Sequence, residues 1–222
     1  MSEVLEPTKN EEALIAVMDQ NPVQPMPTES PMHHLKLGAR SQGSNVPTVY
    51  AGELGLKGHL VIRGDADNSD FRKGVEVALG LGLTDTLQSA ESDSLSISWL
   101  APDEWLVICP LDEAFAVETA LRNSLKGHYS VVNVSGGQTV VRLTGANAVN
   151  VLKKSSPYDF HETHFPVGKV VTTLFGKTQA VIRRKDKETW DLVIRRSFAD
   201  YAWRWLEDAA SEYGFQVADN LA

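Results

Sequence analysis

Trp190-Asp-Leu-Val-Ile-Arg-Arg-Ser-Phe-Ala-Asp-Tyr-Ala-Trp-Arg-Trp-Leu-Glu-Asp-Ala-Ala210 decides how this chain folds, because it reads as a strand running straight into a helix. Residues 190–194 are rich in aromatic and β-branched side chains, which suit a strand with one face covered. Ser197 offers an N-cap oxygen, and Asp200, three residues on, makes a weak capping box. Phe198, Tyr201, Ala202, Trp205, Leu206 and Ala209 then recur at helical spacing as one apolar stripe. Gly214 suits the residue just past the helix end, because left-handed backbone costs glycine little. Trp203 falls outside this stripe. Either a neighbouring loop covers it or it anchors another protein chain, tryptophan being over-represented among interface hot spots.

The same grammar occurs earlier in the chain. After a polar loop and a β-rich run, His59-Leu-Val-Ile-Arg ends at Gly64, and Asn68 or Ser69 caps a helix with Phe71, Val75, Ala78 and Leu79 inward. A hairpin over 95–100 and 105–109 turns through Ala101-Pro-Asp-Glu. Asp112 caps the next helix, with Ala114, Val117, Leu121 and Leu125 inward. In the second half, a strand from Tyr129 meets the turn signal Gly136-Gly137, and Thr139-Val-Val-Arg-Leu is the return strand. Gly145 opens a short helix with Val149 and Leu152, and Gly176-Lys177 turns a hairpin over 170–175 and 178–183. Val61-Ile-Arg-Gly64 and Arg142-Leu-Thr-Gly145 each lead into a helix, and each is followed at a similar distance by a tryptophan-led strand and a second helix. The echo predicts a duplication of strand–helix–strand–strand–helix units. The fold class is α+β: two pseudo-repeated, ferredoxin-like lobes with helices packed on mainly antiparallel sheets. The expected organisation is a flexible tail over 1–31, lobes over 32–127 and 128–215, and a short tail over 216–222.

Composition narrows the function. The chain has 21 basic and 29 acidic residues and no basic block, which speaks against nucleic acid or an anionic membrane as partner. No apolar run approaches the roughly 18 residues that span a bilayer, and the acidic start is unlike a secretory signal, so the expectation is a soluble, cytoplasmic protein. Its single cysteine, Cys109, lies in the apolar run Trp105-Leu-Val-Ile-Cys and reads as an inert buried thiol. Residues 11–18 could form two helical turns before Pro22, Pro25, Pro27 and Pro31 break regular structure. That tail is either disordered or a helix that folds on a partner, and deleting residues 1–28 should leave the thermal midpoint nearly unchanged.

Catalytic motifs are lacking: there is no phosphate loop, no Gly-x-Ser-x-Gly elbow and no Ser-x-x-Lys. Asp159-Phe-His161-Glu162-Thr-His164 gathers two imidazoles and two carboxylates, but Pro157 and Pro166 frame it as a loop. It stands as a metal site, a polar loop or a subunit contact. Arg195-Arg196, where strand becomes helix, is either a solvated pair or a bidentate grip on a partner carboxylate. Trp203, Arg195, Arg196, His161 and His164 are therefore the residues offered to a subunit interface, and none is assigned to catalysis, a cofactor or a metal.

Val134-Ser-Gly-Gly-Gln-Thr-Val-Val-Arg-Leu-Thr-Gly145, Pro157-Tyr-Asp-Phe-His161, Phe165-Pro-Val-Gly168 and Arg195-Arg-Ser-Phe-Ala-Asp-Tyr-Ala-Trp-Arg-Trp-Leu206 resemble the gamma subunit of heterotetrameric sarcosine oxidase. Trp99-Leu-Ala-Pro-Asp-Glu-Trp105 and, more loosely, Ser30-Pro-Met-His-His34 share the resemblance, which covers roughly residues 30–214. It implies a fold similar to the tetrahydrofolate-binding fold of the glycine-cleavage T-protein. It also implies a cofactor-free accessory chain beside alpha and beta subunits that carry FAD, covalent FMN, NAD and tetrahydrofolate, and a delta subunit that carries zinc. The competing class is a free-standing tetrahydrofolate-binding or one-carbon-transfer module; a further alternative is the equivalent subunit of a related N-methyl amino-acid dehydrogenase. A pteridine site should hold a buried carboxylate in an apolar pocket. Asp103 and Asp191 are the acids beside the sheet's tryptophans, and both read as hairpin residues.

Overall fold

Gly64 ends a strand and Gly145 directly follows one, each leads towards a helix, and around these two points the chain builds one unit twice. In the computed structural model, which describes residues 28–39 and 46–218, the first unit comprises β1 (Val49–Glu53), β2 (Lys57–Gly64), α1 (Ser69–Leu79), β3 (Ser89–Glu91), β4 (Ser96–Ala101), β5 (Glu104–Pro110) and α2 (Ala114–Ser124). The second comprises β6 (Tyr129–Asn133), β7 (Gln138–Thr144), α3 (Ala148–Ser155), β8 (Val170–Phe175), β9 (Thr178–Arg184), β10 (Thr189–Arg195) and α4 (Ala199–Ala210), followed by β11 (Phe215–Val217). The helix expected over 11–18 lies outside the described residues.

Sheet order exposes both the duplication and an exchange. One sheet runs β3-β4-β5-β2-β6 and the other β8-β9-β10-β7-β1-β11. Equivalent strands hold equivalent places, except that the first strand of each unit lies in the sheet of the other. All pairings are antiparallel save β1 with β11. The residues around Gly136-Gly137 consequently do not close a hairpin, contrary to the sequence reading. Ser135–Gly137 is a 3-10 turn that carries the chain from one sheet to the other. The His59 amide donates to Ser135 Oγ at 3.0 Å and the Val134 amide to the His59 carbonyl at 2.8 Å, which ties this crossing to β2.

Alternation in the strands sorts side chains between two kinds of core. Leu60, Ile62, Trp105 and Val107 face α1 and α2, whereas Leu143, Trp190, Leu192 and Ile194 face α3 and α4. The opposite faces of the sheets meet through a small third cluster of Leu106, Val140 and Val193, flanked by Val61, Ile108 and Val181. Helices therefore lie outside and the two sheets face each other inside. At one edge the sheets are also joined by main chain, with the Ser89 amide on the Gly168 carbonyl and the Val170 amide on that of Leu87.

Local signals held unevenly. Asn68 caps α1 through Oδ1, accepting from the amides of Asp70 at 2.9 Å and Phe71 at 3.2 Å. Asp112 and Ser197 do not cap: each sits inside a 3-10 turn ahead of its helix, and neither α2 nor α4 has a side-chain cap bond. Asp200 instead pairs with His34 and Arg204.

The face of α4 is also rotated. Its buried residues are Ala199, Ala202, Trp203, Leu206, Ala209 and Ala210, whereas Phe198 is 45% exposed and Trp205 only partly buried. Ala202, Leu206 and Ala209 belong to both stripes, so the true face differs from the expected one by roughly 70° about the axis. Trp203, expected to lie off the core, is 0% exposed. The cause is β11: Gly214, at φ +70°, turns the chain back along β1, and Phe215 meets the Trp203 ring edge-on at 6.0 Å. Four alanines on this face let the helix approach the sheet closely. Trp205 is held differently, donating its indole N–H to Ser155 Oγ at 3.0 Å beside the β8–β9 turn.

Candidate functional site

Charged residues inside buried strands need partners, and three adjacent strands of the second sheet supply them to one another. Asp191 in β10 stands directly opposite Arg142 in β7 and Arg183 in β9. Arg142 grips it twice, Nε to Oδ1 at 2.7 Å and Nη2 to Oδ2 at 3.1 Å, and Arg183 Nη2 reaches Oδ2 at 2.8 Å. Glu91 at the end of β3 reaches across from the other sheet to Arg183 at 3.0 Å and Lys185 at 2.9 Å. Burial pushes the Asp191 carboxyl up, but the hydrogen bond from Arg142 and the charges of Arg183 and Arg142 outweigh it, and the pKa lies below the ordinary range. Asp191 is thus a firmly ionised central-strand residue, not the hairpin residue expected. Asp103 does lie in the β4–β5 turn, exposed and bonded to Arg63 at 2.7 Å.

This cluster forms one wall of a cleft of about 600 Å³ between the sheets, with Val140, Val181 and Val193 beside it and Ser96, Ser98 and Ile108 across from it. The chemistry of its neighbours is subdued. Cys109 is buried, and desolvation together with Glu113 and Asp112 pushes its thiol to about 11, so it is protonated at neutral pH. The oxygens of Asp191 are already occupied by guanidinium donors. No group of three His, Cys, Asp or Glu side chains able to hold a metal ion occurs among the described residues. Charged residues at alternate positions of apolar strands (Val140–Arg142, Val181–Arg183, Asp191–Val193) were the sequence signal for this cleft, but nothing in the sequence said which strands are neighbours.

The residues offered to an interface are dispersed. Trp203 is inside the chain's own core and is withdrawn as a surface anchor. Arg195 and Arg196 are exposed at the end of β10, where Arg196 donates to the Glu29 carbonyl at 3.4 Å and Phe198 and the Ser135–Gly137 turn lie alongside. His161 and His164 are exposed on the loop at the other end of β10. There His164 Nδ1 pairs with Asp159, and Asp159 Oδ1 accepts the His161 amide at 2.9 Å. The loop is anchored by Phe160 and Phe165, stacked at 5.1 Å, both meeting Trp190 edge-on. Trp190 to Arg195 spans about 17 Å of extended strand, so the imidazoles and the arginines mark separate surfaces.

Comparison with known proteins gives concordant results. The description "Sarcosine oxidase, gamma subunit family" fits residues 63–212. A sarcosine oxidase subunit gamma from Corynebacterium sp. (strain P-1) is 31% identical over 187 residues, covering 83% of this chain and 90% of the relative. A chain in the structure of heterotetrameric sarcosine oxidase from Corynebacterium sp. U-96, in complex with pyrrole 2-carboxylate, superposes with a TM-score of 0.75 at 27% identity, covering 88% of this chain and 99% of that one. The glycine cleavage system aminomethyltransferase T from Bartonella henselae shares the fold, with a TM-score of 0.60 at 12% identity, over 78% of this chain and 48% of that one.

Proposed function

Because the chain belongs to the sarcosine oxidase gamma subunit family, we propose that it is the accessory subunit of a heterotetrameric, flavin-dependent sarcosine oxidase and that chemistry occurs in its partners. The reaction of such a complex converts sarcosine, oxygen and water to glycine, formaldehyde and hydrogen peroxide. The observation that carries the reading is the superposition on 99% of one chain of a heterotetramer. Alpha, beta and delta subunits are the partners, and FAD, covalent FMN, NAD, tetrahydrofolate and zinc reside in them. We also propose a cytoplasmic location for the complex; separately, no helix of the described residues is long and apolar enough to cross a membrane.

The surface around Arg195 and Arg196 is the first interface candidate, since two exposed guanidinium groups lie beside the half-exposed ring of Phe198. Arginine and aromatic side chains dominate interface energetics. His161 and His164 form a second, separate contact. Co-expression of the four subunits with and without this chain tests the reading through complex recovery and sarcosine-dependent peroxide. Full assembly and activity in its absence would refute an accessory role. Titration of the isolated chain with tetrahydrofolate tests the competing class, which micromolar binding would favour. Changing Arg195 and Arg196 together to alanine should leave the chain's own stability within about 0.5 kcal/mol while weakening assembly.

A further inference from the structure

α4 carries two apolar sides, and the fold of this chain uses one. The alanine-rich side with Trp203 and Leu206 lies on the sheet, while Phe198, Tyr201 and Trp205, also at helical spacing, line the flank. Phe198 is 45% exposed, and the other two rings are only partly buried. Tyr201 and Trp205 stack at 6.4 Å against Gly176 of the β8–β9 turn, where the Lys177 amide donates to the Tyr201 hydroxyl at 3.0 Å. The strip extends about 10 Å from Phe198 to Trp205. Resting on the reading of this chain as a subunit, we infer that the aromatic strip and the cations bordering it receive an acidic segment of a partner subunit, one that sets carboxylates beside apolar side chains.

The bordering cations select the partner's charge. Arg63, Arg122, Arg142, Arg183 and Arg204 each hold a carboxylate within the chain. The Arg195 guanidinium, by contrast, bonds no described residue, and that of Arg196 reaches only the Glu29 carbonyl, at 3.4 Å. The exposed Lys177 ammonium likewise has no partner among the described residues. Acids of the same region are engaged elsewhere: Asp200 is shared by His34 and Arg204, and Glu53 accepts from Ser30 and Thr139. Glu29 meets Arg196 through its main chain, not its carboxylate. Glu207 and Asp208 stand beyond Trp205, towards the far end of α4.

Arginine beside exposed aromatic rings is the composition of an interface centre. An acidic segment would give each of these cations a partner on association. A second copy of this chain docked across a twofold axis would instead set the cations against themselves, so the occupant is a different chain.

Co-expression of the four subunits with an affinity tag on this chain tests the inference, read as recovery of its partners after low-salt and high-salt washes. Phe198→Ala should reduce recovery by about tenfold or more in both washes. Lys177→Glu should reduce it by about tenfold or more at low salt, and wild-type recovery should itself fall as salt rises. Lys126→Glu, the same reversal at an exposed lysine between α2 and β6, should stay within about twofold of wild type. Thermal melting checks that each variant folds, and Lys177→Glu decides alone if Phe198→Ala melts early. Wild-type recovery in either folded variant, or an equal loss with Lys126→Glu, would overturn the inference and leave the subunit reading intact. Failure of the wild-type chain to recover any partner would overturn the subunit reading and this inference with it.

Discussion

Replacing His59 by leucine should remove most of a pH dependence that the fold builds into this chain. His59 lies in β2, its side chain is 1% exposed, and neither ring nitrogen finds a well-formed hydrogen bond among the described residues. Burial lowers its pKa from 6.5 to about 4; the Lys57 backbone draws it partly back and the Lys57 ammonium lowers it further. In the unfolded chain the imidazole takes its proton near pH 6.5, long before the folded state can. Stability from this group is therefore complete above pH 6.5, falls as pH drops towards 4, and is flat below. Linkage over that interval amounts to about 3 kcal/mol, of which about 2 kcal/mol is already lost at pH 5. Urea denaturation of wild type and His59→Leu at pH 8 and pH 5 reads the difference directly. Wild type should lose about 2 kcal/mol more than the variant between the two pH values. At pH 8 the variant should match or exceed wild type, because two buried orphan nitrogens have gone. The other five histidines are exposed and common to both proteins, so the comparison isolates His59. Parallel loss of stability in the two proteins would show that His59 is hydrated or partnered and that the reasoning is wrong.

Three further outcomes are expected from equilibrium unfolding. Trp203→Ala should cost about 3–5 kcal/mol, as large aromatic truncations in a core do, and Trp205→Ala distinctly less, because its ring is partly exposed; the opposite order would mean that the sequence stripe, not the buried face, describes α4. Asp191→Asn should cost about 3–5 kcal/mol by removing the buried carboxylate that Arg142 and Arg183 share. Since the folded pKa of Asp191 is depressed, its stabilisation is present above the unfolded pKa and disappears as pH falls through the lower folded value, so the variant should show a flatter acid limb below about pH 4. Gly145→Ala should cost about 2 kcal/mol or more, because φ is +118° and an added Cβ would lie 2.3 Å from the Thr48 carbonyl oxygen; an unchanged denaturation midpoint would contradict that geometry.

Much of the local architecture was legible because its causes are local. The Asn68 cap, the β4–β5 turn through Pro102-Asp103, the β8–β9 turn at Gly176 and the inward faces of α1 and α2 depend on residues within a few positions of one another. The duplication was legible for a related reason: two copies of one unit repeat the same short-range pattern wherever they lie. Misreadings arose where two local options had similar free energy. Ser197 and Asp112 could have capped, but 3-10 turns placed ahead of α4 and α2 moved the helix starts past them.

Other features rest on which distant segments become neighbours. A strand's periodicity states that one face is covered but not by what, so the exchange of β1 and β6 between sheets left no mark in sequence. Trp203 and Trp205 lie on different, equally apolar sides of one helix, and the return of β11 beside β1 selected which side became core. The candidate site follows the same rule. Asp191 was visible as an acid in a strand; whether it would be a solvated turn residue or the centre of a buried ion cluster depended on Arg142, 49 positions away, pairing directly opposite it. The sequence by itself determined the elements and their repetition, because backbone preference and capping act over a few residues. Tertiary structure alone decided the strand exchange, the face of α4 and the charged cleft, because burial and ion pairing are properties of the pairs that folding brings together.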